Sequence, residues 1–260
     1  FVYILSSRNK MVREVIRSVR SLLNYVEGEK IHIFYTPPHN EDDKKILENL
    51  GVNLHIKNEN KTEGFRIKGT SDKRPFAEKT RLCSIDSKNV VFLDCDTLVL
   101  GDIWKTIEGD FDFKGRPDSS GINEEWGYLF EKYDEPYLDW MPNGGFLIFK
   151  NNSHKLIQKK WISYINEEIR FEKNGSFLKE QVALSFAISE LNTEKMSKSE
   201  HVFEGKEKCP NGIVYHLSVE SSDRRPIDEF LYSIDSRLPI SLANSKIIKN
   251  LRDRLVEEDS

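Results

Sequence analysis

The chain of 260 residues is long enough for one large domain or two small ones built on a continuous core. Apolar residues make up 38% and aromatics 11%, against 32% Asp, Glu, Lys and Arg, which excludes a chain that is disordered throughout. The 39 basic and 43 acidic side chains leave a formal charge of −4, with no broad positive field to hold a polyanion, so nucleic acid is not expected as a main partner.

Phe1 to Leu5 is a short apolar, β-favouring run. Lys10 to Val26 follows with Val12, Val15, Ile16, Val19, Leu22 and Leu23 at helical spacing. Lys30 to Tyr35 predicts a second strand, stopped by Thr36, Pro37 and Pro38. Asn40 to Leu50 predicts a helix closed by Gly51, and Val52 to Ile56 a third strand. This β-α-β-α-β order predicts an α/β protein with a parallel sheet and helices on its faces. Asn58 to Lys73 is polar and reads as a loop, and Pro75 to Asp86 as a helix with Pro75 near its first turn.

Asn89 to Leu93 is apolar without alternation, as a central parallel strand requires. Gly115 to Tyr137 is polar and dotted with aromatics, with weak periodicity. Phe146 to Phe149 predicts another buried strand, Ser153 to Glu168 and Leu178 to Leu191 two helices, and Ile213 to Leu217 a late strand. Ser241 to Val256 sets Leu242, Ile247, Ile248, Leu251 and Leu255 on one helical stripe beside four basic residues. That stripe is expected to dock on the domain, with a membrane surface or self-association as the alternatives. There is no internal repeat and no long linker, so one domain over residues 1–260 is expected, with 227–260 as a helical C-terminal extension.

Cys83, Cys95 and Cys209 lie far apart, with no C-x-x-C pair, so neither a disulfide framework nor a thiolate zinc site is indicated. A reducing, cytoplasmic setting is expected, with membrane association as the variant. No run approaches the roughly 18 to 20 apolar residues needed to cross a bilayer.

Asp94-Cys95-Asp96 directly follows the apolar run Val90 to Leu93, so two carboxylates stand where a buried strand leaves the sheet. Ligands of open α/β sheets bind at that carboxyl end. If the chain stays extended, residues two apart point to the same side, and both carboxylates can address one cation. A hard divalent ion, manganese or magnesium, offsets their repulsion and completes its shell with water and phosphate oxygens, which makes a nucleoside diphosphate compound the natural ligand. Solvated or capping carboxylates at a strand end are the plainer alternative. An aspartyl-nucleophile phosphatase is a sharper rival, but its pattern is D-x-D-x-T, whereas Thr97 directly follows Asp96 here.

These residues resemble the GT-A glycosyltransferases, particularly the glycogenin and lipopolysaccharide-galactosyltransferase group, family 8, over about residues 1–226. Val90 to Ile103 is similar to that group's metal strand and the D-I that follows it. Met141 to Phe149 resembles its N-G-G turn and apolar strand, Glu180-Gln181 its D-Q element, and Val214 to Leu217 its late strand with a third metal ligand. The resemblance implies the GT-A fold and a hexosyltransferase. The sugar would pass from a nucleotide donor, a UDP-sugar, to a hydroxyl of a glycan, lipid-linked or other acceptor, with retention of anomeric configuration.

It also implies roles. Asp94, Asp96 and His216 would hold the metal, with Cys95 between them in the donor site. Leu5, Ser6, Ser7 and Arg8 would line the nucleotide, and Lys79 the donor, with Arg81 as the competing basic residue. Asn143 would meet sugar hydroxyls or the acceptor, and the two glycines after it would let a substrate approach the backbone closely. Glu180 would accept hydrogen bonds from the donor sugar, and Gln181 would lie near the anomeric carbon.

After His216 the chain departs from the family's H-x-x-G-x-x-K-P-W, so Arg224 or Arg225 is expected to replace the Lys that contacts the diphosphate. An inverting enzyme would instead need a carboxylate base, for which Asp118, Glu124 and Glu125 are the candidates. Trp126, Tyr128, Tyr133, Tyr137 and Trp140 would either stack on acceptor rings or pack under a loop. Two other functions compete. Nucleotidyl transfer would need a Gly-rich phosphate loop after the first strand, and Ser6 to Lys10 has no glycine. A non-catalytic carbohydrate- or partner-binding module on the same fold is the other.

Overall fold

Strand β1 (Val2–Ser6) sets the pattern of the molecule through its alternation: Tyr3 and Leu5 enter the core on one face of the sheet, Val2 and Ile4 the core on the other. The computed structural model describes residues 1–6, 9–37, 39–57, 75–118, 122, 125–167, 179–203, 209 and 211–216. Helix α1 (Asn9–Leu22) turns Val12, Val15, Val19 and Leu22 onto the first face. Strand β2 (His32–Thr36) is parallel to β1, and helix α2 (Glu41–Glu48) follows. Asn40 caps α2, its side-chain oxygen accepting from the Asp42 and Asp43 amides at 2.8 and 3.2 Å, an arrangement worth about 1 kcal/mol. Strand β3 (Asn53–Ile56) adds a parallel edge.

The helix from Pro75 to Ser84 has 3-10 geometry, in which residues three apart eclipse. Glu78 accordingly receives the Arg81 guanidinium, and both are buried. Strand β4 (Val90–Leu93) is buried along its length, with Val90 and Phe92 facing one core and Val91 and Leu93 the other.

Strands β5 (Thr97–Val99) and β6 (Phe113–Pro117), helix α3 (Trp126–Lys132) and strand β7 (Pro142–Phe149) come next. Helices α4 (Ser153–Asn166) and α5 (Lys179–Ile188) lie side by side and share a core with α3. Strands β8 (Thr193–Lys195), β9 (His201–Phe203) and β10 (Val214–His216) complete the described elements.

The large sheet has the order β3-β2-β1-β4-β7-β6-β8, in which β7 alone runs against its neighbours. A second sheet, β5-β10-β9, stands beside it. The expected strands and helices between Phe1 and Leu217 all have counterparts, within a few residues at their ends, with Pro75–Ser84 as a 3-10 helix. The Gly115 to Tyr137 stretch is more ordered than its weak periodicity implied: it contains the end of β6 and all of α3.

His154 on α4 is fully buried, with Nε2 3.1 Å from the Ile85 carbonyl, and Nδ1 has no hydrogen-bond partner among the described residues. Burial holds its pKa below the ordinary value. The unfolded chain takes up this proton near about pH 6.5 and the folded chain resists it, so this contribution to stability falls as pH drops below that value. The fall in melting temperature from about pH 7.5 to about pH 5.5 should therefore be smaller in His154→Gln than in the wild type. Equal falls would show that the ring is not held neutral.

Candidate active site

Because β7 runs antiparallel to β4, the start of β7 meets the end of β4 on one rim of the sheet. The Asp94 amide donates to the Gly145 carbonyl at 2.8 Å, one step beyond the Leu93–Phe146 pair. On the far side of β7, Pro117 pairs with Pro142, and the Asp118 amide donates to the Met141 carbonyl at 2.8 Å. Residues some 50 positions apart in the sequence are thus brought to one edge by strand direction.

Asp94, Cys95 and Asp96 do not continue the strand as expected. They form a tight turn, in which Thr97 donates to the Asp94 carbonyl from both its amide (3.3 Å) and its hydroxyl (2.8 Å). The Thr97 hydroxyl is also 2.9 Å from Ser18 on α1, which in turn is 2.9 Å from the Tyr3 hydroxyl, so a buried chain of three hydroxyls fixes the turn to the first helix. Cys95 is directed inward, its thiol 3.4 Å from the Ile4 carbonyl, and burial raises its pKa well above the ordinary value.

The turn leads into β5, and the register of β10 on β5 sets His216 opposite Thr97. His216 Nε2 lies 3.4 Å from Asp96 Oδ1, and one donor atom from each of Asp94, Asp96 and His216 falls within 4.8 Å of the others. Burial raises the Asp94 carboxyl against the pull of Lys79, and Asp96 adds to the rise. Burial acts on Asp96 in the same sense, but the hydrogen bond and charge of His216 outweigh it and hold that carboxyl below its ordinary value. Burial disfavours the imidazolium of His216, yet Asp96 prevails and its pKa is raised. Two carboxylates and an imidazole nitrogen form a donor set that manganese accepts more readily than magnesium, which takes oxygen ligands.

Sequence reading missed His201. It is fully buried and stacks on His216 with ring centroids 5.5 Å apart and planes 17° apart, between Phe146 and Phe203. A histidine on a three-residue strand carries no sequence signal of such a contact.

Lys79, not Arg81, reaches the rim. Its ammonium lies 2.9 Å from the Gly144 carbonyl, 3.3 Å from Asp94 Oδ2 and 3.4 Å from Glu180 Oε1. Burial opposes its charge, but Asp94 and Glu180 outweigh burial and raise its pKa. The Glu180 carboxyl is itself raised by burial, with Lys79 opposing. Arg81 is turned to Glu78.

Asn143 and Gln181, the latter from the first turn of α5, both donate to Asp118 Oδ2, at 2.9 and 3.0 Å. The Asn143 oxygen accepts from the Gly145 amide at 2.9 Å. The two glycines have a purpose that the sequence did not show. A Cβ on Gly144 would stand 2.8 Å from Lys79 Nζ, and one on Gly145 would overlap the His216 ring, so their missing side chains make room for the protein's own site residues.

No protein-family model and no curated protein matches the sequence. Among solved structures, the bifunctional glycosyltransferase WbbM superposes with a TM-score of 0.64 at 13% identity, covering 95% of this chain and 51% of its own. The glycosyltransferase GlyE of Streptococcus pneumoniae gives 0.61 at 14% identity, covering 94% of this chain and 62% of that one. The galactosyltransferase LgtC, solved with donor and acceptor sugar analogs, gives 0.57 at 15%, covering 84% of this chain and 87% of that one. The chain has the GT-A fold. It spans about half the length of WbbM and 62% of GlyE.

On this GT-A sheet the ends of β1 and β4 share the carboxyl rim. Leu5 is fully buried, and its carbonyl accepts from the Thr36 hydroxyl at 3.1 Å, while Ser6 pairs with Thr36. Ser7, Arg8, Glu124, Arg224, Arg225 and the predicted C-terminal helix lie outside the described residues. Of the aromatics, Trp126 and Trp140 are core residues and Tyr133 packs against the same core, whereas Tyr128 and Tyr137 are exposed. No described helix is long and apolar enough to cross a membrane.

Proposed function

We propose that the chain is a metal-dependent glycosyltransferase that moves a sugar from a UDP-sugar to a hydroxyl of a saccharide or other acceptor, with retention. One observation carries the reading: Asp94, Asp96 and His216 converge at the carboxyl rim within 4.8 Å of one another. Glu180 joins the same group through Lys79, and Gln181 is its neighbour on α5.

Asp94, Asp96 and His216 would hold manganese or magnesium, and a bound cation supplies positive charge where the donor's diphosphate departs. Lys79 keeps Asp94 and Glu180 apart in charge and fixed in place. Glu180, beside Lys79, is assigned to accept hydrogen bonds from hydroxyls of the donor sugar, and Gln181 to face its anomeric carbon. Leu5 and Ser6, with Ser7 and Arg8, are assigned to the nucleotide, and Arg224 or Arg225 to the diphosphate, on the resemblance alone. Retention is supported by Asp118, whose carboxylate accepts two amide hydrogen bonds instead of standing free as a base.

The experiment is a UDP-release assay over a panel of nucleotide sugars with manganese present. Release with at least one donor, abolished by a chelator, is expected. No release from any donor with manganese or magnesium would overturn the reading.

A further inference from the structure

Asp118 Oδ2 is approached by two side-chain amides at once, Asn143 at 2.9 Å and Gln181 at 3.0 Å. An ionised carboxylate has no hydrogen to give, so both amides must turn their NH2 groups toward it. For Asn143 this agrees with its other end, where the oxygen takes the Gly145 amide. For Gln181 it has a different result. Gln181 is buried, and its Oε1 has no hydrogen-bond partner among the described residues. The amide therefore offers a bare oxygen on the side away from Asp118.

From this geometry we infer that Asp118 is a positioning residue that sets which end of the Gln181 amide meets the substrate, an inference that rests on the glycosyltransferase reading of the site. An amide oxygen accepts a hydrogen bond from a sugar hydroxyl and faces favourably the positive charge that grows on an anomeric carbon as the diphosphate leaves. An NH2 group in its place would repel that charge. Donation to a carboxylate also polarises the amide and strengthens its oxygen as an acceptor. Asp118 is held for this task by its own backbone, whose amide donates to the carbonyl of Met141, the residue before β7. One acid thus aligns Asn143 on the sheet with Gln181 on the helix.

The test is Asp118→Ala, which removes the oxygen that both amides use and leaves neither with an acceptor there; an Asn could keep its one carbonyl oxygen in that place. Turnover of the nucleotide sugar should fall by about 100-fold, as misplacement of a reacting group does. The Kd for UDP with manganese should change by less than about threefold, because the metal ligands are untouched. In a Gln181→Ala background the same substitution should cost less than about threefold, since the residue it acts through is gone. Asp118→Glu, which keeps a carboxylate, should retain at least about tenfold more turnover than Asp118→Ala. Turnover in Asp118→Ala within about threefold of wild type, or losses that multiply in the double variant, would overturn the inference.

Side-chain amide NMR separates this inference from the proposed function. The Gln181 and Asn143 NH2 resonances should be slow to exchange in the wild type, and should shift and exchange faster in Asp118→Ala, with a smaller change in Asp118→Glu. Unchanged resonances in Asp118→Ala would refute the positioning role, even for a protein that turns over no nucleotide sugar.

Discussion

Gly145→Ala is expected to destroy the metal site. The added methyl would overlap the His216 imidazole, with Nε2 only 3.0 Å away. The backbone has little freedom to withdraw, because the Gly145 carbonyl accepts from Asp94 and its amide donates to Asn143. His216 must therefore swing away from Asp96, or β7 must part from β4. Overpacking of this kind costs about 1–3 kcal/mol of stability. Loss of one ligand of three should weaken manganese binding by about 100-fold, going by the effect of disturbing even the groups that orient ligands. Thermal melting and a manganese titration measure the two effects. Gly127→Ala on α3 is the control: the nearest atom to its Cβ is 3.9 Å away on Tyr137, and a glycine in a helix costs roughly 0.5–1 kcal/mol relative to alanine. That variant should be slightly more stable than wild type. Manganese affinity unaltered in Gly145→Ala would remove His216 from the site.

Lys79→Met is expected to destabilise the metal-free protein strongly, and manganese to restore much of the loss. The substitution keeps an unbranched side chain over the Phe92 ring, against which the ammonium sits at 5.3 Å, so packing changes little. What it removes is the cation between Asp94 and Glu180, both of which burial already drives toward protonation. Breaking a buried pair by deleting one partner costs about 3–5 kcal/mol, because the other is left uncompensated. A divalent cation at Asp94 and Asp96 offsets part of that charge, and any ligand bound only by the folded state raises its stability. The rise in melting temperature on adding manganese should therefore be larger in Lys79→Met than in the wild type. An equal or smaller rise would mean that Lys79 and the cation do not share the same carboxylates.

Much of this site was legible because its parts carry strong local signals. Val90 to Leu93 is apolar on both faces, so the carboxylates after it had to lie at a sheet end, and they do. The helical spacing of α1 and the apolar, β-favouring run of β1 were equally plain. The convergence of Asp94, Asn143, Glu180 and His216 was anticipated from a resemblance, and no periodicity could have given it, since it depends on β7 running against β4.

The failures have particular causes. Strand β6 was hidden by Lys114 and Arg116, which are buried although charged; Lys114 is 2.7 Å from both Glu194 and Glu200, and those partners lie 80 or more residues on. Strands β5, β8 and β9 have three residues each, too few for alternation to register. The extended reading of Asp94 to Asp96 failed because Thr97 folds back on the Asp94 carbonyl, a local competition that strand propensity does not weigh. Asp118 was noticed only as an acid in a variable stretch; its two amide partners lie 25 and 63 positions away.

Titration calorimetry of UDP, with and without manganese, in wild type and Asp96→Ala tests the central claim most directly. The account predicts UDP binding that requires the cation in the wild type and is lost in Asp96→Ala. UDP binding of equal strength without metal, or undiminished in that variant, would contradict it.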